Sequence, residues 1–489
     1  MTDSMVRYVG LDVHKRVVEA CILDANGKVV LRQRFELEGP GLRRFAREHL
    51  EPGDRVALEA TTNCWAVAAV LRGRVAEVVV SNPLATKAIA QAKVKTDKVD
   101  AFVLAQLLRC DYLPRVWQPD EATQQLRELA SRRSALVGQR TAVRNRIHSV
   151  LAMRLLTPPT AKLFSPAGVA WLRSVDLDAQ GRLLIDTDLR LAAAIETEIA
   201  ALDHDLAVRG YRDPQVKLLM TLPGVDVTVA EALVAALGDA GRFADGAHAA
   251  SYLGLVPSTH QSARHCYHGP ITKRGRSHAR WMLVEAAQHL DKHPGPLGCF
   301  FRRLAKKKNR NVAVVAAARK LVAIAWQMLV TGEPYRYAIP RATEKKLLCL
   351  RVKATGQRRK GGSPKGSKSV AKLPGGSRTI RALSGVCQAE GLPEPRPLSA
   401  GEKRTVARCG CGAFVDQLAN VHVVPRRSGK TPAGNHEGAS KSPATCQASM
   451  RGFRRLHGGD QGDEAPPPGP PTLFSIPEQG TARKSAPAS

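Results

Sequence analysis

The sequence predicts an α/β domain at the amino-terminal end, two long helices after it, then a mostly helical domain and a basic tail that is largely disordered. Three observations support this organisation. Short apolar segments with strand and helix patterns alternate in the first part, apolar residues then recur at heptad spacing, and residues 345–389 contain no Asp or Glu. A chain of 489 residues has room for several cores. The expected boundaries are 1–115, 116–210, 211–335 and 336–489.

The first domain is predicted to begin with three antiparallel strands, because three strand-like segments follow one another and D-A-N-G at 24–27 marks a turn. Alternating helices and strands follow. The predicted strands are 7–13, 17–23, 28–37, 55–60 and 76–81, and the predicted helices are 41–50, 64–72 and 97–108. A meander followed by alternating strands and helices is the element order of the ribonuclease H-like fold.

A long helix is predicted over residues 120–155, and a second near 189–208. Apolar residues form a seam along each of them. The seam residues are Leu126, Leu129, Leu136, Val143, Ile147 and Val150 on the first helix, and Ile195, Ile199, Leu202 and Leu206 on the second. These helices form a coiled coil either within one chain or between chains.

The charge of the chain indicates a polyanionic partner. Lys and Arg number 74 against 43 Asp and Glu, a formal net charge of +31. No uninterrupted apolar run approaches the roughly 20 residues that span a bilayer, so the expected partner is nucleic acid and not a membrane. The candidate nucleic-acid-binding residues are Arg132, Arg133, Arg140, Arg144, Arg146, Lys273, Arg274, Arg276, Arg302, Arg303, Lys306, Lys307 and Lys308. The alternative is that these charges form solvated surfaces without a partner.

A helix-hairpin-helix element is predicted around L-P-G-V at 222–225, where a glycine turn precedes a helix over 228–237. The amides at the start of such a helix can approach a phosphate. Beyond residue 340 the composition is basic and rich in Gly, Ser and Pro, which predicts a disordered tail that adheres to nucleic acid, with a minor folded element allowed near 395–425.

Four carboxylates are candidates for one metal site. Asp12 and Glu59 lie at the ends of two apolar strands that are neighbours in the predicted sheet, and Asp97 and Asp100 share one face at the start of a helix. Carboxylates that converge need a cation between them. Oxygen ligands suit Mg²⁺, or Mn²⁺, and two ions about 3.5–4 Å apart can stabilise the attacking and leaving oxygens of phosphoryl transfer. The alternative for Asp97 alone is a helix-start residue.

The chain resembles the insertion-sequence 110/1111 family of bacterial DEDD transposases, which are related to the Piv-type DNA invertases. The motifs that carry the resemblance occur in the family's order between about residues 7 and 335. They are V-G-L-D-V-H-K at 9–15, L-E-A at 58–60, N-P at 82–83, K-T-D-K-V-D-A at 95–101, L-P-G-V at 222–225, S-Y-L-G-L-V-P at 251–257 and I-T-K-R-G at 271–275. The resemblance implies a RuvC-like first domain whose catalytic and metal-binding residues are Asp12, Glu59, Asp97 and Asp100, and a transposase domain over 211–335.

The resemblance also implies a nucleophilic serine in the second domain. Alignment with the family pattern points to Ser262, although the glycine expected after it is Ala263, and Ser258 is the second choice. A serine hydroxyl needs a base or a metal to become a good nucleophile. Histidines at 260, 265 and 268 lie nearby in sequence. The alternative is that Ser262 is an ordinary loop residue.

The resemblance therefore implies a transposase or recombinase that cleaves and exchanges strands of double-stranded DNA through a phosphoserine. It also implies a structured guide RNA, a homodimer or homotetramer, and a place in the bacterial cytoplasm at the nucleoid. One alternative is a RuvC-like structure-specific nuclease in which the serine is idle. Another is a nucleic-acid-binding protein without catalysis.

Overall fold

The amino-terminal domain is built on a five-stranded mixed sheet. The computed structural model describes residues 6–90, 96–262, 265–357 and 377–425. The strands are β1 (Tyr8–Val13), β2 (Val17–Leu23), β3 (Val29–Glu36), β4 (Arg55–Glu59) and β5 (Glu77–Ser81). Their order across the sheet is β3-β2-β1-β4-β5, with β1, β2 and β3 antiparallel and β1, β4 and β5 parallel. The predicted meander and alternation are confirmed, with strand limits within a few residues.

Helices cover both faces of this sheet. The helices are α1 (Gly39–His49), α2 (Cys64–Leu71), α3 (Pro83–Ile89) and α4 (Asp97–Arg109). Val9 and Leu11 of β1 pack in one core with residues of α1 and α2, whereas Tyr8 packs against α4 on the other face. Because side chains alternate along a strand, Gly10 and Asp12 share the face that α4 covers.

A helical hairpin within the chain comes after the sheet domain. It consists of α5 (Glu121–Ala152), α6 (Pro166–Ser174) and α7 (Ala179–Arg212). Leu136 and Val143 of α5 pack against Ile195 and Ile199 of α7, which confirms the central part of the predicted seam. The second helix begins about ten residues earlier than its prediction, because the N-terminal part of α7 packs at the α6 end of the hairpin through Ile185.

The next region is helical apart from one hairpin. The helices are α8 (Pro214–Leu219), α9 (Val227–Leu237), α10 (Gly246–Tyr252), α11 (Ser277–Ala287), α12 (Pro296–Lys307) and α13 (Arg310–Thr331), and the strands are β6 (Pro257–Ser262) and β7 (His265–Ile271). No strands were predicted here from the sequence. The segment is polar and almost fully exposed, so it lacks the apolar alternation by which a strand is recognised.

The glycine turn that was predicted to bind a phosphate lies between α8 and α9, and it is occupied by contacts within the protein. Gly224 has a positive φ of 76°, and a Cβ built on it would lie 2.3 Å from the carbonyl oxygen of Ala286. This glycine therefore permits close packing against α11. The side chain of Asp226 accepts a hydrogen bond from the amide of Val229 at 3.0 Å, so the protein's own carboxylate caps α9.

A largely disordered tail was predicted from residue 336 onward. This prediction is wrong for the described residues 340–357 and 377–425, which contain helices and strands. Four helices come after α13, namely α14 (Pro340–Thr355), α15 (Leu383–Glu390), α16 (Ala400–Cys409) and α17 (Gly412–Ala419), with strands β8 (Ser377–Ile380) and β9 (His422–Pro425) paired antiparallel. Leu347, Leu350, Leu383 and Cys387 are buried in the same core as α9 to α13. The few apolar residues that form this part of the core are not evident in a segment of basic composition. The sequence therefore suggested a folded element only near residues 395–425. Residues 358–376 and 426–489 lie outside the described residues.

The helix α13 is long and apolar enough by composition to cross a membrane. In this structure it packs as a core helix. Ala317, Leu321 and Ala325 lie on its buried side within the main core.

Candidate active site

Asp12 and Glu59 lie on neighbouring parallel strands at the carboxyl end of the sheet. Leu11 is opposite Leu58 in the register between β1 and β4, so the next residue on each strand is a carboxylate. Adjacent strands are about 4.8 Å apart. The two acids therefore start from neighbouring backbone positions on the face that α4 covers, as the sequence predicts.

The helix α4 brings the other two acids to the same edge. Thr96 caps this helix by accepting a hydrogen bond from the amide of Val99 at 3.4 Å, and Asp97 and Asp100 lie in its first turn. Close packing fixes its position on the sheet, since a Cβ built on Gly10 would lie 1.9 Å from the carbonyl oxygen of Ala101. Gly10 thus lets α4 approach β1 more closely than any larger residue would.

A compact group of metal-binding atoms is formed by Asp12, His14 and Asp97, whose donor atoms all lie within 4.8 Å of one another. The Nε2 atom of His14 is 3.1 Å from Oδ2 of Asp12 and 3.4 Å from Oδ1 of Asp97. His14 belongs to one of the sequence motifs but was not predicted to be part of the site. Its spacing was the available signal, because residues i and i+2 of a strand share a face.

Electrostatics at this edge favour a cation. Burial raises the pKa of Asp12, and the negative charges of Asp100 and Asp97 raise it further, whereas the nearby His14 opposes the rise. Carboxylates held together at such a cost are stabilised when a divalent cation binds between them. The carboxylate oxygens suit Mg²⁺ and Mn²⁺, and the imidazole nitrogen is a ligand typical of transition metals. The residues at this edge therefore fit a divalent metal.

Ser262 is the last residue of β6 and is paired across the strands with His265 of β7. Its side chain is exposed, and Ala263, which replaces the expected glycine, lies outside the described residues. Ser258, the second choice, lies beside Gly269. A Cβ built on Gly269 would be 2.5 Å from Oγ of Ser258. His265 is the residue opposite Ser262 in the strand register. The structure brings Asp12 and Asp97 together, and the role of Ser262 stays a prediction.

The arginines of α5 face acidic residues of α7. Arg133 forms an ion pair with Asp203, Arg144 with Glu196 at 2.5 Å, and Arg146 with Asp188 at 2.6 Å. The side chain of Arg140 is half-buried, and burial lowers its pKa, while Arg132 is exposed. No acidic residue follows Glu128 within α5, but its arginines find acidic partners on α7. Their binding of nucleic acid stays a prediction.

The other predicted basic residues lie on the helical region. Lys306, Lys307 and Lys308 form an exposed basic end of α12, with Arg302 and Arg303 one turn before them. Arg302 also holds the preceding turn, because its guanidinium donates to the carbonyl oxygens of Asp291 at 2.8 Å and His293 at 2.9 Å.

A second exposed basic group lies in the turn after β7. Lys273 and Arg274 are exposed there, and Lys273 has a positive φ of 53°. Arg276 is partly buried beside Tyr252. Burial raises the pKa of Tyr252, but the positive charges of Arg127, Arg242 and Arg276 outweigh burial and lower it. An anion would be attracted to these three guanidinium ions.

Comparisons with known proteins identify related sequences over both regions. Residues 9–153 match the profile of the DEDD transposases of IS110, and residues 216–297 match the transposase IS116/IS110/IS902 family. A putative transposase of Sinorhizobium fredii is 26% identical over 356 residues, which cover 72% of this chain and 87% of the relative. The transposase for insertion sequence element IS1111A of Coxiella burnetii is 26% identical over 347 residues, covering 68% of this chain and 92% of the relative. The pilin gene-inverting protein of Moraxella bovis is 24% identical over 350 residues, covering 67% and 97%.

Proposed function

Since this chain belongs to the IS110 family of transposases, we propose that it moves an insertion sequence by metal-dependent cleavage and rejoining of DNA strands. One observation carries the proposal. Asp12, His14 and Asp97 place their donor atoms within 4.8 Å of one another, at the sheet edge where Glu59 also lies. The strand order β3-β2-β1-β4-β5 supports a ribonuclease H-like, RuvC-like domain.

In this proposal the four carboxylates of Asp12, Glu59, Asp97 and Asp100 hold one or two divalent ions, Mg²⁺ or Mn²⁺. When bound, such ions neutralise charge on a phosphodiester and stabilise the oxygens that attack and leave. The carboxylates would determine where these ions bind and hence where the scissile phosphate is held, and the packing of α4 on Gly10 keeps the carboxylates together.

Ser262 is the proposed nucleophile. Its oxygen forms a bond to phosphorus while a deoxyribose oxygen leaves, which gives a phosphoserine and a free DNA end. A hydroxyl of another strand then attacks the same phosphorus and releases the serine, so the number of phosphodiester bonds is conserved. His265 lies opposite Ser262 in the hairpin and is a candidate to accept the serine proton.

The substrate is double-stranded DNA, and the resemblance to the family leads us to propose a structured guide RNA, a homodimer or homotetramer and association with the bacterial nucleoid. Exposed lysines at the end of α12 and the basic turn after β7 would contact phosphates. Sequencing the nucleic acid retained through a high-salt wash tests guidance. One homogeneous RNA encoded beside the gene supports it, whereas random fragments contradict it.

A second candidate function is a structure-specific nuclease that uses the acidic edge alone. The group formed by Asp12, His14 and Asp97 favours it, because this group holds possible metal ligands without any contribution from a serine.

Asp12→Asn and Asp100→Asn test the proposal. Each should lower strand cleavage by roughly 100-fold or more, because metal ligation is lost. Binding of DNA should persist, since the phosphate contacts come from Lys and Arg. Cleavage and binding are measured in parallel on the same preparations. Full cleavage by either variant would rule out the metal site.

A further inference from the structure

His14 occupies a fixed place beside the acidic edge. Its amide donates to the carbonyl oxygen of Val17 at 2.9 Å, and its own carbonyl oxygen accepts from Nδ2 of Asn63 at 3.2 Å. The backbone is therefore held on both sides. The side chain is 51% exposed, and its Nε2 lies within 3.4 Å of a carboxylate oxygen of both Asp12 and Asp97.

The distances at Nε2 match those between neighbouring ligands of one ion. In an octahedral site with ligand distances of about 2.1 Å, adjacent donor atoms are about 3.0 Å apart. The measured separations are 3.1 Å to Asp12 and 3.4 Å to Asp97. The same distances would suit a protonated imidazole that donates to a carboxylate, so a direct test must distinguish the two arrangements.

We propose that His14 is a direct ligand of the metal and that it shifts the preference of the site from Mg²⁺ towards Mn²⁺ and later transition metals. The proposal rests on the metal site of the proposed function and adds a ligand to it. Mg²⁺ is bound almost entirely through oxygen, whereas imidazole nitrogen is a ligand typical of transition metals. A nitrogen donor at the acidic edge would therefore increase the affinity for Mn²⁺ relative to Mg²⁺. Four carboxylates alone would bind these two ions with more similar affinities.

The chain offers a matched control for a surface histidine beside a carboxylate. His248 places Nδ1 2.8 Å from Oδ1 of Asp245 and is also exposed, and within the described part of the chain Asp245 is the acid paired with it. His14→Gln and His248→Gln thus remove the same group from two exposed His–Asp pairs. Only the first pair belongs to a group of three possible ligands among the described residues.

Electron spin echo spectroscopy of the full chain loaded with Mn²⁺ tests the ligand directly. Wild type should show a hyperfine coupling from directly bound histidine nitrogen, and labelling of histidine with ¹⁵N should change it. His14→Gln should abolish this coupling, and His248→Gln should retain it. Calorimetric titration should show a roughly tenfold loss of Mn²⁺ affinity in His14→Gln and a smaller change for Mg²⁺.

The outcomes separate this inference from the proposed function. Mn²⁺ that binds wild type without a histidine coupling, or a coupling that survives in His14→Gln, overturns the role of His14 and leaves the carboxylate site in place. Wild type that binds neither Mn²⁺ nor Mg²⁺ overturns both proposals. Loss of binding in Asp12→Asn confirms that the titration reports this site.

Discussion

Gly10 lies against the carbonyl oxygen of Ala101 so closely that a Cβ on this glycine would be 1.9 Å from that oxygen. The contact joins β1, which carries Asp12, to α4, which carries Asp97 and Asp100. A glycine two residues before the first acid thus determines how closely the second pair of acids can approach it.

Gly10→Ala should weaken metal binding and cleavage without removing any ligand, because α4 must move away from β1. The overpacking should also lower the free energy of unfolding by about 1–3 kcal/mol. Calorimetric titration with Mn²⁺ and thermal unfolding measure the two effects. Gly138→Ala is the control, since a Cβ there meets nothing within 4 Å and the helix α5 should gain up to about 1 kcal/mol. Unchanged metal affinity in Gly10→Ala would contradict the positional role of the contact.

Ser262→Ala should abolish a covalent protein–DNA adduct, whereas Ser258→Ala should retain it, because Ser262 is the proposed nucleophile and Ser258 only the second choice. The adduct is trapped on a nicked DNA substrate and located by peptide mass spectrometry. Metal-dependent cleavage by Ser262→Ala at the wild-type rate, without any adduct, would favour the nuclease function instead.

Glu231 of α9 should make stability fall as the pH rises. It is 3% exposed, and burial raises its pKa from 4.5 to about 8. Between these values the unfolded chain releases the proton while the folded chain keeps it. The free energy of unfolding therefore falls by up to about 1.4 kcal/mol per pH unit between these two pKa values. Above the higher value Glu231 causes no further decrease.

Glu231→Gln should remove this dependence of stability on pH, because glutamine does not titrate. From pH 5 to about 8 the unfolding free energy of wild type should therefore fall relative to that of the variant. Urea titrations across this range measure it. Parallel curves for the two proteins would show that Glu231 does not retain its proton in the folded state.

Two truncations of different length test the folded carboxyl-terminal part. Removal of residues 429–489 should leave the melting temperature unchanged, because residues 1–428 form a compact unit of their own. Removal of residues 340–489 also deletes Leu347, Leu350 and Leu383. Each such buried side chain contributes about 1.5–3 kcal/mol, so the shorter protein should melt at a lower temperature or fail to fold. Equal melting temperatures for both truncated proteins would contradict the role of α14 and α15 in the core.

Replacement of Lys306, Lys307 and Lys308 by Gln should weaken DNA binding and flatten its dependence on salt. Each lost phosphate contact should reduce the slope of log K against log salt by about 0.9. Binding is measured by fluorescence anisotropy at several salt concentrations. The control replaces Arg43, Arg44 and Arg47, which are exposed on α1, by Gln. This replacement removes the same number of positive charges. An equal effect of both sets would show that only net charge matters.

The sequence by itself determined the elements whose signals are local. Three strand-like segments and a D-A-N-G turn predicted β1, β2 and β3, and heptad spacing predicted the seam of α5. The four acids could also be found locally, because each interrupts an apolar strand or begins a helix. The ribonuclease H-like assignment, the catalytic roles and the domain boundaries stay predictions.

Only the tertiary structure decided which distant groups meet. It placed His14 between Asp12 and Asp97, paired arginines of α5 with acids of α7, and buried Leu347 and Cys387 of a basic, apparently featureless segment in the main core. These outcomes depend on contacts between residues far apart in the chain, whereas periodicity and composition report only on neighbours. A few buried side chains can fold a segment whose average composition predicts disorder, because burial energy depends on where each apolar group lies and not on its frequency.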